Sequence, residues 1–159
     1  MGRDHEEKEK DMRPVKKAAE MSVRELARYV DQSVLKPEFT VEEVRRYTQE
    51  GIDFGCATIC INPASLPVVA PMVDGSSTGI CVVCDFPFGL ATTEAKALLA
   101  EEYCSKWGVQ DLDIVANYGW LRSGLHDEVI ADLRPTVETC HRHGTEVKVI
   151  IETDALTPQ

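Results

Sequence analysis

A chain of 159 residues with 43% apolar and 28% charged residues has the length and composition of about one globular domain. Its 17 Lys and Arg against 27 Asp and Glu give a net charge of −10, which repels a phosphate backbone, so nucleic acid is not the expected partner. No apolar run reaches the roughly 18–20 residues that span a bilayer, and MGRDHEEKEKD at the start puts charge where a signal peptide needs its apolar region. A cytoplasmic chain without a membrane contact is the expectation.

Residues 1–20 hold six acids and six bases with almost no large apolar side chain, the composition of a charged, disordered arm. The folded part is expected over 21–159. Ser22-Val-Arg-Glu25 has the form of a capping box and opens a short helix with Val23, Leu26, Ala27 and Val30 on one side. Thr40-Val-Glu-Glu43 repeats the device for a helix carrying Val41, Val44 and Tyr47, which stops between Gly51 and Gly55. The period then changes. Cys56-Ala-Thr-Ile-Cys-Ile61 is a short apolar run closed by Asn62-Pro63, hence a strand and a turn. The spacing predicts a helix over 64–73, a strand over 79–84, a helix over 93–107, a strand over 112–116, a helix over 125–143 and a strand over 147–151. Pro135 falls inside the last of these helices, at a cost of about 3 kcal/mol unless the helix bends there.

Apolar strands alternating with helices of ten or more residues imply a parallel sheet covered by helices, an α/β fold. A closed (β/α)8 barrel needs roughly 200 residues or more, whereas an open doubly wound sheet is complete at about 150. No G-x-G-x-x-G or P-loop motif follows any strand, so the usual nucleotide reading of an open sheet has no motif behind it.

The six cysteines, Cys56, Cys60, Cys81, Cys84, Cys104 and Cys140, sit mostly in apolar, strand-like settings and read as buried free thiols. Cys81 and Cys84 mimic a CxxC pair, but residues three apart on a strand face opposite ways and cannot grip one metal. His126, His141 and His143 flank one helix and read as surface residues rather than metal ligands.

Ligands of parallel α/β folds meet the C-terminal ends of the strands. Those ends deliver Asn62-Pro63, Asp85-Phe-Pro-Phe-Gly89, the set Asp111, Asp113 and Asn117, and the set Lys148 and Glu152. Asp113 and Lys148 are charges set inside apolar strands, where burial without a partner costs several kcal/mol. Two readings follow: a structural ion pair, or an acid/base pair with shifted pKa values beside a carbonyl substrate. A lysine desolvated among apolar strands is also expected to have a lowered pKa, the condition for a nucleophilic amine. Locally, Asp31 reads as a capping or turn residue. Cys60 shares a face with Asn62, either lining a pocket or simply buried.

Six blocks, in order and spacing, resemble the N-terminal part of the deoxyribose-phosphate aldolase family. They are Asp31-Gln-Ser-Val-Leu-Lys-Pro37, Cys60-Ile-Asn-Pro63, Asp85-Phe-Pro-Phe-Gly-Leu-Ala-Thr-Thr-Glu-Ala-Lys96, Asp111-Leu-Asp-Ile-Val115, Leu121-Arg-Ser-Gly124 and Val147-Lys-Val-Ile-Ile-Glu-Thr153. The resemblance implies a TIM-type (β/α)8 barrel, of which this chain supplies the first four βα units. It implies a metal-free and cofactor-free aldehyde-lyase that cleaves 2-deoxyribose 5-phosphate reversibly to glyceraldehyde 3-phosphate and acetaldehyde through a Schiff base. By motif position Asp113 and Lys148 are the catalytic proton-transfer residues, and Asp31, Ser33 and Cys60 line the substrate pocket.

The chain departs from the family pattern in several places, among them the absence of a further lysine on strand seven and of the phosphate-binding loops near strands seven and eight. Gln32 stands where the family usually has His, and Asp85 where Gly or Asn is common. The Lys-Thr-Ser-Thr-Gly-like strand carrying the Schiff-base lysine does not occur. A partial barrel leaves an unpaired edge and its apolar interior uncovered. The expectation is a truncated aldolase, with a homo-oligomer or a complementing C-terminal half as partner. The alternative is a non-catalytic half-barrel remnant or interaction module.

Overall fold

The structure is a computed structural model that describes residues 16–157. The expected charged arm falls mainly on residues 1–15, outside the described residues. Next to them Ala18–Glu20 forms a 3-10 turn, and Lys16 makes an ion pair with Glu25.

Both capping boxes form. The Ser22 hydroxyl accepts from the Glu25 amide at 3.3 Å and the Glu25 carboxylate accepts from the Ser22 amide at 2.8 Å, which starts α1 (Val23–Ala27). Thr40 and Glu43 do the same for α2 (Val41–Phe54), which ends on Gly55 in the left-handed region at φ 80°. Between these helices lies β1 (Asp31–Val34), a strand missing from the sequence-based expectation. Four residues, three of them polar, carry too little apolar alternation to announce a strand; parallel pairing with the next strand, Asp31 opposite Thr58 through Val34 opposite Ile61, forms it. Asp31 is therefore a strand residue, not a cap or turn.

The remaining elements follow the expected alternation. They are β2 (Thr58–Ile61), α3 (Leu66–Val73), β3 (Gly79–Cys84), α4 (Thr93–Trp107), β4 (Asp111–Val115), a short α5 (Tyr118–Arg122), α6 (His126–Arg142) and β5 (Glu146–Ile150). The helix α5, capped by Asn117 on the Trp120 amide, was also not anticipated. The helix α6 runs through Pro135 without a break. The five strands form one parallel sheet in the order β1-β2-β3-β4-β5, so the expected four strands become four complete βα units followed by a fifth strand.

Alternation divides each strand between two faces. Val34, Ile59, Ile61, Ile80, Val82, Leu112 and Ile114 point outward and pack with Val44, Leu66, Val69, Ala100, Tyr103 and Cys140 of the helices in the main core. Gly51 lets α2 lie close, since a Cβ there would stand 2.5 Å from Ile59 and 2.9 Å from Gln32. Cys60, Cys81 and Val83 form a second, smaller apolar cluster on the inner face. Cys81 and Cys84 thus occupy opposite faces, as strand geometry requires, and all six cysteines are buried free thiols.

The sheet is curled. Four interstrand steps of about 4.8 Å separate the edge strands by roughly 19 Å in a flat sheet, yet Lys148 on β5 reaches Asp31 on β1 at 2.6 Å. Only a sheet bent as in a barrel wall brings the inner faces of its two edges within side-chain reach.

Candidate active site

The inner face carries a cluster of charges beside the small apolar patch of Cys60, Cys81 and Val83. Lys148 projects from β5, where it pairs in register with Asp113 of β4. Its Nζ lies 2.6 Å from Asp31 Oδ2, 3.0 Å from Asp113 Oδ1 and 3.4 Å from Asp111 Oδ2. Asp111 and Asp113 share a face because they are two apart on one strand. Asp31 joins them from the far edge of the sheet, and Thr58 beside it fixes the carboxylate by donating to Oδ1 at 2.7 Å. Asp113 Oδ1 is buried and faces the Lys148 ammonium at ion-pair distance.

Two thiols complete the cluster. Cys60 donates to Asp113 Oδ2 at 3.9 Å, and Cys81 Sγ lies 3.7 Å from Lys148 Nζ. Cys60, Cys81 and Asp113 offer two sulfurs and a carboxylate oxygen within 4.8 Å of one another, a donor set of the kind that holds zinc. The Lys148 ammonium already occupies the cationic position of that set, so the arrangement fits an internal cation better than a metal ion. Ser33, the remaining expected site residue, is exposed on β1 and makes no contact with Lys148 at hydrogen-bond distance.

The electrostatics correct one expectation. Burial disfavours the Lys148 ammonium, but the hydrogen bond to Asp31 and the Asp113 carboxylate outweigh it, so the pKa lies above the ordinary lysine value rather than below it. Asp31 and Asp113 reverse what desolvation alone predicts. Burial raises the Asp111 carboxyl, with the Lys148 ammonium opposing the rise. Hydrogen bonding to Cys60 and burial push the Cys81 thiol up, which keeps it protonated and unreactive at neutral pH. The cluster holds a proton on Lys148 beside carboxylates that accept one, which suits proton relay and does not suit attack by a neutral amine.

Several residues singled out from sequence lie elsewhere. Asn62 donates to the Leu35 carbonyl at 2.9 Å, and Asn117 caps α5. Gln32 points to the helix layer, 3.5 Å from the Tyr47 carbonyl, so this departure from the family pattern does not reach the inner face. His143 meets Glu101 at 2.9 Å, on the helix side of the molecule. Asp85 turns away at φ 55° to meet Lys96, and Lys96 with Asp132 forms a buried ion pair that the sequence reading did not find. Its only sequence signal was a lysine where the helical pattern places an inward residue.

Among the described residues, no helix is long and apolar enough to cross a membrane. No family model matches the chain. Curated proteins do. It is 36% identical over 139 residues to the deoxyribose-phosphate aldolase of Clostridium kluyveri, covering 87% of this chain and 63% of that one. It is 38% identical over 140 residues to the enzyme of that name from Desulfitobacterium hafniense, with the same coverage. The tetrameric deoxyribose phosphate aldolase of Aeropyrum pernix superposes with a TM-score of 0.76 at 26% identity, over 86% of this chain and 56% of that one. A structure described as QR15, an aldolase, gives 0.75 at 28% identity, over 86% and 58%. The chain spans about three-fifths of the length of the curated relatives it matches. Identity of 36–38% over 87% of the chain, on a sheet that curls as a barrel wall does, shows that the chain belongs to the deoxyribose-phosphate aldolase family and carries a partial barrel of that fold.

Proposed function

We propose that this chain forms the proton-transfer wall of a cytoplasmic aldehyde-lyase acting on 2-deoxyribose 5-phosphate. The carrying observation is Lys148, held as an ammonium ion among Asp31, Asp111 and Asp113 on the concave face. In the reaction, a neutral amine condenses with the substrate aldehyde to give an iminium ion. A base takes the proton from the C3 hydroxyl, the C2–C3 bond breaks, glyceraldehyde 3-phosphate leaves, and the electron pair moves onto the iminium to give an enamine. Protonation at C2 and hydrolysis release acetaldehyde. Asp113, a carboxylate beside the Lys148 ammonium on the concave face, fits the proton-accepting steps, and Lys148 the donating ones. Asp31 and Cys60 hold these two groups in place, and Ser33 lines the face beside them.

Because Asp31, Asp111 and Asp113 surround Lys148 and favour its ammonium form, this reading gives the covalent step to another amine. On this reading that amine belongs to a segment equivalent to the part of the relatives that this chain does not match, which also completes the barrel as a complementing half. The test joins this chain to the unmatched C-terminal remainder of the Clostridium kluyveri relative and follows acetaldehyde release from deoxyribose 5-phosphate. Asp113→Asn and Lys148→Met are expected to lower kcat by about 100-fold or more, with substrate binding retained. Full activity in either variant overturns the assignment; no activity in the joined parent, once folded, favours a non-catalytic module.

A further inference from the structure

A second group of buried charges lies beneath the loop that joins β3 to α4. Lys96, in α4, is fully buried. Its Nζ lies 2.6 Å from Asp132 Oδ2 on α6, 3.2 Å from the Gly89 carbonyl oxygen and 3.5 Å from Asp85 Oδ2. Thr93 donates to the other Asp132 oxygen at 2.7 Å. Asp85 Oδ2 also accepts from the Ala91 amide at 2.8 Å, and the Asp85 carbonyl accepts from Gly89 at 2.8 Å. One ammonium therefore gathers the start and the middle of the loop and ties both to two helices.

Burial of side chains does not hold this loop, since Phe86, Phe88 and Leu90 are 41%, 62% and 68% exposed. Polar contacts do, together with one close approach. Gly89 backs onto the end of β4, where an added Cβ would stand 2.5 Å from the Ala116 carbonyl oxygen, three residues past Asp113. An ion pair so deeply buried is commonly no better for stability than well-packed apolar residues. What an apolar pair lacks is the ability to hold a loop carbonyl and a loop carboxylate at fixed distances. That capability accounts for a charge here.

We propose that Lys96 and Asp132 are positioning residues: their ion pair fixes the β3–α4 loop against the end of β4 and so shapes the mouth above Asp113 and Lys148 for a small phosphorylated sugar. The proposal rests on the functional reading given above for its ligand. Its geometry rests on the clamp alone.

The test is Lys96→Met/Asp132→Leu in this chain joined to the C-terminal remainder of the Clostridium kluyveri relative, which removes both charges of the pair together and leaves only the partly exposed Asp85, still bound by the Ala91 amide, without its ammonium neighbour. Lys96→Met alone is expected to unfold at lower denaturant; the double variant is expected to recover most of that loss. Amide hydrogen exchange at residues 86–91 and binding of deoxyribose 5-phosphate, followed by NMR titration, are then compared with the parent. The expected result is faster exchange confined to the loop and binding weakened about ten- to hundredfold. A purely structural pair predicts instead that restored stability restores both readouts, and unchanged exchange in the double variant overturns the proposal. Faster exchange with undiminished binding overturns the positioning role. If the folded joined parent does not bind the sugar, the functional reading fails, and unchanged loop exchange in the double variant then overturns the clamp as well.

Discussion

Replacing Lys148 by methionine removes the cation that faces Asp31, Asp111 and Asp113 while keeping most of the side-chain volume. Breaking a fully buried pair costs about 3–5 kcal/mol, and an exposed pair is worth about 0.2–1 kcal/mol. Lys148 is 41% exposed, whereas its partners Asp111 and Asp113 are 17% and 15% exposed. Solvent screening of the lysine end places the loss between those limits, at about 2 kcal/mol. Its pH dependence carries the sharper test. In the parent, the folded pKa of Lys148 lies above its unfolded value of 10.5, so its contribution is complete below that value and is lost only as the pH rises through the folded pKa. It is constant between pH 5 and 8. In the variant, the Asp111 carboxyl, already raised by burial, loses the ammonium that opposes the rise. A carboxyl with a raised folded pKa binds its proton in the folded state first, so the variant gains stability as the pH falls toward the unfolded value of 3.8. Urea unfolding at pH 8 and pH 5 is expected to show a deficit that shrinks on acidification and is largely removed by adding Asp111→Asn. A deficit of equal size at both pH values, or none at pH 8, refutes the electrostatic account of the cluster.

Three further outcomes are expected. Gly89→Ala places a Cβ 2.5 Å from the Ala116 carbonyl oxygen at φ 68° and should cost about 1–3 kcal/mol in a denaturant melt; parent-like stability contradicts the tight loop-to-β4 contact. Thr58→Val removes the donor to Asp31 Oδ1 and should cost about 1–2 kcal/mol, with the Lys148 amine signal shifted in NMR spectra. An unshifted signal would mean that Thr58 does not orient Asp31. The buried thiols, with Cys84 and Cys140 pushed up to about 12 by burial, should react with a disulfide reagent at pH 8 only as fast as the chain unfolds. Rapid native-state reaction of Cys81 or Cys84 contradicts the described core.

Elements with a strong local signal were legible in the sequence. The two capping boxes, the apolar strands and their helices needed only local chemistry, and the charge of Asp113 and Lys148 inside apolar strands required partners, which the structure supplies. The strand β1 was not legible because Asp31-Gln-Ser-Val34 has almost no apolar period; its strand state comes from pairing with β2. The pKa of Lys148 was misjudged for a related reason. Desolvation can be read from an apolar strand, but Asp31 sits 117 residues away and meets the lysine only because the sheet curls. Lys96 was hidden by its helix: in Thr93–Trp107 the lysine faces inward while Leu98 is 71% exposed, the reverse of ordinary amphipathic order.

The central claim is that Lys148 holds a proton beside the substrate and does not form the Schiff base. The most direct measurement incubates the folded chain, alone and joined to the C-terminal remainder of the Clostridium kluyveri relative, with deoxyribose 5-phosphate and borohydride, followed by intact mass and peptide mapping. The account predicts no adduct on Lys148 in either sample, and an adduct in the joined protein on a lysine of the added segment. A reduced adduct on Lys148 would contradict it.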